Sequence, residues 1–221
     1  MPPQTKLEQA AEHLRSEIIE GRIRPGDRVV IDQVARELAM SPIPVREAIK
    51  QLEAEQLVTI KPHAGAVVTP LSHQDITEVF DLLIALEGVA ATHACKHRSL
   101  EDLDGFNQFI MKMDLHISAN DQRAWVDANI AFHLAIAASA QMPLLYSCTR
   151  QAMSRWQRIR LTLFDLDVDE NAKAINQEHR QMVRLINERN DSALRALLTS
   201  HNNAARTYYL EQRPSDDALP G

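Results

Sequence analysis

Glycine is scarce in this chain, at six residues in 221, and aromatic side chains make up only 5%. A sandwich or barrel of short strands needs many glycine-bearing turns, so the shortage points to helices. Cysteine is scarcer still. Cys95 and Cys148 stand alone with no CxxC spacing, which argues against a disulfide scaffold. No apolar run approaches the ~20 residues of a membrane span. The first residues, MPPQTKLEQA, contain no apolar signal segment. A cytoplasmic protein with no membrane partner is therefore expected. What remains is ordinary globular material, 45% hydrophobic and 24% charged, long enough for one large or two small domains.

The net charge of −6 argues against a nucleic-acid binder only if it is spread evenly. It is not. Residues 1–70 carry 9 basic and 10 acidic side chains, and the remainder carries 15 and 20. Between Arg22 and Lys50, six basic residues face four acidic ones, a weak basic patch that permits phosphate contact and that includes Arg36.

The first 70 residues read as three short helices and a hairpin. Leu7, Ala10, Ala11, Leu14, Ile18 and Ile19 recur at helical spacing until Gly21. Pro25-Gly26 makes a turn, and Asp32 is placed to cap a second helix with Val34, Ala35 and Leu38 inside. Ser41 is placed to cap a third, with Pro42 and Pro44 in its first turn, where missing N–H groups matter least. Val45, Ala48, Ile49 and Leu52 then form its buried stripe, leaving Ile43, Arg46, Glu47 and Lys50 outward. Residues 57–60 and 66–69 are β-branched runs around a five-residue loop, Lys61 to Gly65.

From Ser72 onward no strand signal appears. Helices are expected near 72–97, 99–117, 121–139, 143–166, 169–188 and 191–212, a bundle with short connections. The expected fold class is mainly α: a winged helix-turn-helix over 1–70, an all-α bundle over 71–213, and a flexible tail over 214–221.

Two short helices, a support helix and a following hairpin can place a rigid helix in a major groove about 12 Å wide. Arg46 and Lys50 lie one turn apart on its outward face. The same pattern also describes a plain solvated charged face. The wording of the segment adds a resemblance. GRIRPGDRV, then VARELAMSPIPVREAIKQLEAEQLV, then HAGAVV, is similar over about 50 residues to the DNA-binding domain of the GntR family of bacterial transcription regulators. Two positions depart from the family pattern. Pro42 stands where an arginine is common, and Gln56 stands where glycine is usual. The resemblance implies that Arg46 and Lys50 read bases, with Ser41, Ile43 and Arg36 beside them and His63 and Gly65 in the wing. It also implies a homodimer on double-stranded operator DNA with two-fold symmetry.

The helical part holds a second constellation. Asn129 and His133 are i, i+4, about 40° apart on one helix. His179 and His201 follow on the last two helices, and donors from three helices can converge in a bundle core. Taken singly, each histidine reads as well as a surface or satisfied residue, and His93 with His97 reads as surface. Residues 79–212 resemble the FCD domain of the FadR-like branch. There an aspartate in D-x-x-F-H, that histidine and two later ones bind a divalent metal. This chain has Phe132-His133, His179 and His201, but Asn129 replaces the aspartate. Asp127 cannot stand in, being about 120° away from His133 around the helix. Three neutral imidazoles plus an amide favour Zn²⁺ or Ni²⁺ over harder cations.

The family's R-x-x-L-E appears here as Leu83-Ile84-Ala85-Leu86-Glu87, so the carboxylate-binding arginine is a leucine. A substitute is sought in Arg155. It falls on an apparent inner stripe of Leu145, Cys148, Ala152, Ile159, Leu163 and Leu166, where a buried arginine needs an anionic partner. The reading is a non-enzymatic regulator that senses a small organic acid. Two others stay open: a metal-dependent enzyme on the three histidines, though no HExxH or paired carboxylates accompany them, and a DNA-binding protein with a vestigial bundle site.

Overall fold

The computed structural model describes residues 4–163 and 171–211. The tail expected at 214–221 lies outside them, as does Leu166. The chain divides into two compact units, one formed by the residues up to Ser72 together with Arg158–Thr162, the other by His73–Gln157 and the described residues from Leu163 onward. Among the described residues no helix is long and apolar enough to cross a membrane.

The first unit is built on α1 (Lys6–Ile19), α2 (Ile31–Glu37), α3 (Pro42–Ala54) and the antiparallel pair β1 (Val58–Lys61) and β2 (Gly65–Val68). Thr5 starts α1 with a capping box: its hydroxyl accepts from the Glu8 amide at 3.2 Å, and the Glu8 carboxylate accepts from the Thr5 amide at 2.8 Å. Ala10, Ala11, Leu14 and Ile18 share one core with Val34, Val45, Ile49, Leu52, Val58 and Val68. Leu7 falls outside it, 37% exposed, because the helix has already turned that residue to solvent. α2 begins one residue earlier than its expected cap. Val30 is the cap residue, without a side-chain bond, and Asp32 sits in the first turn, where its charge suits the helix dipole.

Ser41 is the cap residue of α3, yet its hydroxyl makes no capping bond. Pro44 removes one of the two amides such a bond can use, leaving only that of Ile43. A cap oxygen normally accepts from the second or third amide of the helix, and the third is a proline nitrogen with no hydrogen. The hairpin is also tighter than expected. The ladder runs from Val58↔Val68 to Lys61↔Gly65, so both ends of the anticipated loop are paired and only residues 62–64 connect the strands. His63 (φ 64°) and Gly65 (φ 77°) make that short turn in the left-handed region.

Gln56 explains its own oddity. It follows α3 with φ 61°, its amide donating to the Glu53 carbonyl at 2.9 Å while the Leu57 amide donates to the Leu52 carbonyl at 2.9 Å. This is a Schellman ending, whose left-handed residue is most often glycine. Glutamine carries a Cβ strain there of about 1–2 kcal/mol, partly offset by the entropy glycine loses on folding. Gln56→Gly is therefore expected to raise unfolding stability by about 0.5–1 kcal/mol in urea melts, with m unchanged.

The second unit is a bundle of α4 (His73–His97), α5 (Leu100–Ser118), α6 (Gln122–Ser139), the greater part of α7 (Pro143–Leu163), α8 (Ala172–Asn187) and α9 (Asp191–Glu211). Ser99 and Asp102 cap α5 reciprocally, and the Asp121 side chain caps α6 through the Ala124 amide at 3.0 Å. α6 is buried on most sides (Trp125, Val126, Ala128, Phe132, Ile136 and Ala137), packed between α4 and α5, while α4 lies along α9 and α8 contacts α5 and α9. Its sequence is accordingly apolar with little sidedness.

The inner face of α7 differs from the expected stripe. Leu145, Thr149, Ala152, Met153 and Trp156 are buried, whereas Cys148 and Arg155 are only partly so. Steps of three and four residues fit both tracks, and the true track places Trp156, not Arg155, inward.

Candidate functional site

Two sites emerge, one in each unit. In the first, α3 carries Val45, Ala48, Ile49 and Leu52 into the core and holds Ile43, Arg46, Glu47 and Lys50 on the opposite, exposed face. The helix is thus anchored along its inner side and free along its outer one. Lys50 is paired with Glu47 at 2.9 Å, both side chains more than half exposed. Among the described residues the Arg46 guanidinium has no hydrogen bond or ion pair. Arg36 is exposed on α2 and lines, with Lys6, Ser41 and Pro42, a shallow cleft of about 420 Å³ beside the start of α3. Ser41, whose hydroxyl makes no capping bond, is thus one of the residues lining this cleft. Lys6 was not singled out in the sequence, since nothing in its local pattern tells that the start of α1 lies beside the α2–α3 turn. His63 is exposed at the hairpin tip, and Gly65 is half-buried. A Cβ at Gly65 would lie 3.5 Å from the Arg28 guanidinium.

In the second unit, His133 on α6, His179 on α8 and His201 on α9 meet, with ligand atoms all within 4.8 Å of one another. The ring centroids are 5.3, 5.6 and 5.1 Å apart. Three imidazoles bound tetrahedrally to one ion at ~2.1 Å would have centroids about 5 Å apart, so the side chains need move little. Asn129 lies one turn before His133, 5% exposed, and its Oδ1 has no hydrogen-bond partner. The Nε2 of His179 is likewise buried without one. Orphaned buried acceptors are costly unless something supplies a positive partner. The donor set fits a divalent cation.

Each imidazole is backed on its Nδ1 side. Glu87 Oε1 is 2.7 Å from His133 Nδ1, close enough for an ion pair though not aligned as a hydrogen bond. Glu178 Oε2 lies 2.6 Å from His201 Nδ1, and Asn176 Oδ1 lies 3.4 Å from His179 Nδ1. An oxygen acceptor at Nδ1 holds the proton there and leaves the Nε2 lone pair for a ligand. Asn176 and Glu178 favour that tautomer at His179 and His201, and at His133 the charge of the nearby Glu87 carboxylate favours it.

Glu87 is the residue the sequence reading passed over. It is a buried carboxylate on the inner face of α4, in the run Ile76, Phe80, Leu83, Glu87, Ala90, Ala94. A single charge on such a stripe is itself a signal, because it must be paired. Burial alone would raise its pKa, but the facing His133, the Asn202 amide at 2.7 Å and the more distant His201 outweigh that and lower it. His179 is held well below the usual imidazole range by burial first, then by His201, His133 and Arg180. It is neutral at physiological pH and so available as a ligand.

The remaining candidates fall elsewhere. Asp127 is exposed and accepts from the Gln157 amide at 3.0 Å. His93 and His97 stack on each other, centroids 6.2 Å apart, near the surface of α4. Arg155 was expected to be buried and is not: its side chain is 41% exposed, 3.9 Å from Glu78. The premise that gave it an effector role therefore fails.

A winged helix with an exposed reading face, followed by a helical bundle with a polar centre, defines a class of DNA-binding regulator. Comparison with known proteins agrees. Residues 6–68 match the bacterial regulatory proteins of the gntR family, and residues 78–204 match the FCD domain. An HTH-type transcriptional regulator of Agrobacterium vitis is 33% identical over 135 residues, covering 59% of this chain and 79% of that one. The HTH-type transcriptional regulator McbR of Escherichia coli (strain K12) is 25% identical over 147 residues, 66% of each chain. The solved structure of E. coli McbR/YncC superposes with a TM-score of 0.83 at 20% identity, covering 95% of this chain and 99% of that one. The chain belongs to the GntR family of bacterial regulatory proteins, in the FadR-like branch that carries an FCD domain, and is a DNA-binding transcriptional regulator.

Proposed function

We propose that this regulator acts as a homodimer on a two-fold symmetric operator and responds to a small carboxylate-bearing metabolite at a divalent cation, Zn²⁺ or Ni²⁺, in the bundle. The observation that carries the reading is the meeting of three Nδ1-backed imidazoles beside the orphaned Asn129 oxygen. Asn129, His133, His179 and His201 would hold the ion. Bound there, it would supply the positive charge that holds and orients an anionic oxygen of the effector. The chain's own residues do the rest. Glu87, Glu178 and Asn176 fix the rings, and Glu87 adds a buried negative charge that the neutral Asn129 does not provide. In the first unit, Arg46 and Lys50 meet base edges, Arg36, Lys6 and Ser41 meet phosphates, and His63 and Gly65 bring the wing to the DNA. The neutral Asn129 also suits a site that has lost its metal, and one experiment separates the two readings. Protein purified without a histidine tag is analysed for bound metal and titrated with Zn²⁺ and Ni²⁺. One equivalent per chain, in the purified protein or on titration, is expected. No metal as purified and no saturable uptake, with the fold intact, would leave the histidines as core residues. Footprinting is expected to give two equal half-sites; a single asymmetric site bound by a monomer would overturn the dimer.

A further inference from the structure

Ile43 is 70% exposed, an unusual setting for a large apolar side chain on a short anchored helix. Its position on α3 is what gives the exposure meaning. Counting 100° per residue, Ile43, Arg46, Glu47 and Lys50 fall within about 100° of one another, and the buried Val45, Ala48, Ile49 and Leu52 lie opposite. Ile43 is thus in line with the two cations, in the first turn, about 10 Å along the axis from Lys50. That is roughly the length of three base-pair steps. It is also the end of a recognition helix that approaches base edges. Pro42 and Pro44 flank it and fix the backbone of that turn, so its side chain is presented from a rigid platform.

An aliphatic side chain has no hydrogen bond to offer a base. The one apolar feature of the major groove is the C5-methyl group of thymine. We infer that Ile43 is a specificity-determining residue that selects thymine in each half-site by packing on that methyl. The inference rests on the DNA-reading role proposed for α3 and adds the base it selects and the group it reads.

The methyl can be removed without touching the protein. Operator-like duplexes are first selected from a random pool with the full-length protein. Each thymine of the selected site is then replaced by deoxyuracil, symmetrically in both half-sites. Replacement at one position is expected to weaken binding by the wild-type protein about fourfold per half-site, on the order of tenfold in all, at ~0.8 kcal/mol per methyl. Ile43→Ala, which is exposed and leaves the core alone, is expected to bind thymine and deoxyuracil duplexes equally. Cytosine at that position is expected to be rejected, and 5-methylcytosine to recover part of the loss. If every deoxyuracil duplex binds the wild-type protein as tightly as its parent, or if Ile43→Ala keeps the full methyl dependence, the inference is wrong while DNA binding by α3 stands. If the pool yields no selected sequence at all, the DNA-reading role fails and this inference with it.

Discussion

Replacing His179 by alanine is expected to abolish saturable Zn²⁺ uptake. His179 is the most deeply placed of the three imidazoles, fully buried, with Phe132 4.7 Å away ring to ring and its Nε2 unpartnered. Structural zinc sites bind with ~10–16 kcal/mol, so one of four ligands accounts for roughly 3 kcal/mol, or about 100-fold in affinity. A site that already has a neutral amide in place of an anion has little affinity in reserve. His179→Gln, closer in volume, separates loss of the ligand from loss of packing: both variants should lose uptake, and the glutamine form should keep more stability. Glu87→Gln retains an oxygen beside His133 but removes the buried charge, and should weaken binding by about 10-fold or more. Asn129→Asp restores an anionic ligand and should tighten it. Isothermal titration of the four variants checks the order. Undiminished uptake by His179→Ala would place the metal elsewhere.

The same residue gives a pH signature to the metal-free protein. Its pKa is lower folded than unfolded, so below the ordinary imidazole pKa the unfolded chain takes up a proton that the folded chain refuses. Its contribution is therefore complete above about pH 6.5 and is lost as pH falls below that value, down through the folded pKa. Glu87, also lowered, contributes in the same direction at more acid pH, below its unfolded value. Metal retention should fall over the same range, since protons compete for the same nitrogens.

How far these sites could be read in the sequence depended on the kind of signal. The α3 face was legible because a strict apolar stripe fixes both its inside and its outside, and Ile43, Arg46 and Lys50 followed directly. The histidines were legible as a set only through the family-like spacing. Their convergence depends on how α6, α8 and α9 pack, which no local pattern encodes. Arg155 was misplaced because two overlapping tracks on α7 differ by one residue, and choosing between them takes tertiary contacts. Glu87 was overlooked although the argument applied to Arg155, that a charge on an apolar stripe needs a partner, holds for it more strongly. Ser41 shows the opposite case. It is the cap residue, as its place before Pro42 implies, but a cap position does not guarantee a cap bond: Pro44 removes one of the two usual amide partners, and the hydroxyl does not engage the other.

Arg46→Ala is expected to cost about 1–3 kcal/mol in operator binding, roughly 5- to 150-fold, and to relax preference at one base pair. The argument rests on what Arg46 does in the free protein, where it is exposed and has no partner among the described residues. Removing it disturbs no core contact, so thermal stability should be unchanged and the whole loss should appear on DNA. Lys50 provides the contrast. Its ammonium is held by Glu47 at 2.9 Å, and an exposed pair of this kind is worth about 0–1 kcal/mol, which DNA contact must first overcome. Lys50→Ala should therefore cost less than Arg46→Ala, and Glu47→Gln, which frees the lysine, should tighten binding. Arg36→Ala tests a phosphate contact: it should weaken all sequences alike and reduce the steepness of the salt dependence. Binding isotherms on the selected operator and its single-base variants, at several salt concentrations, distinguish these outcomes. If Arg46→Ala binds the operator as tightly as the parent, α3 does not read bases in the orientation argued. If it loses affinity equally on every sequence, Arg46 serves the backbone, and specificity must come from the remaining residues of the exposed face.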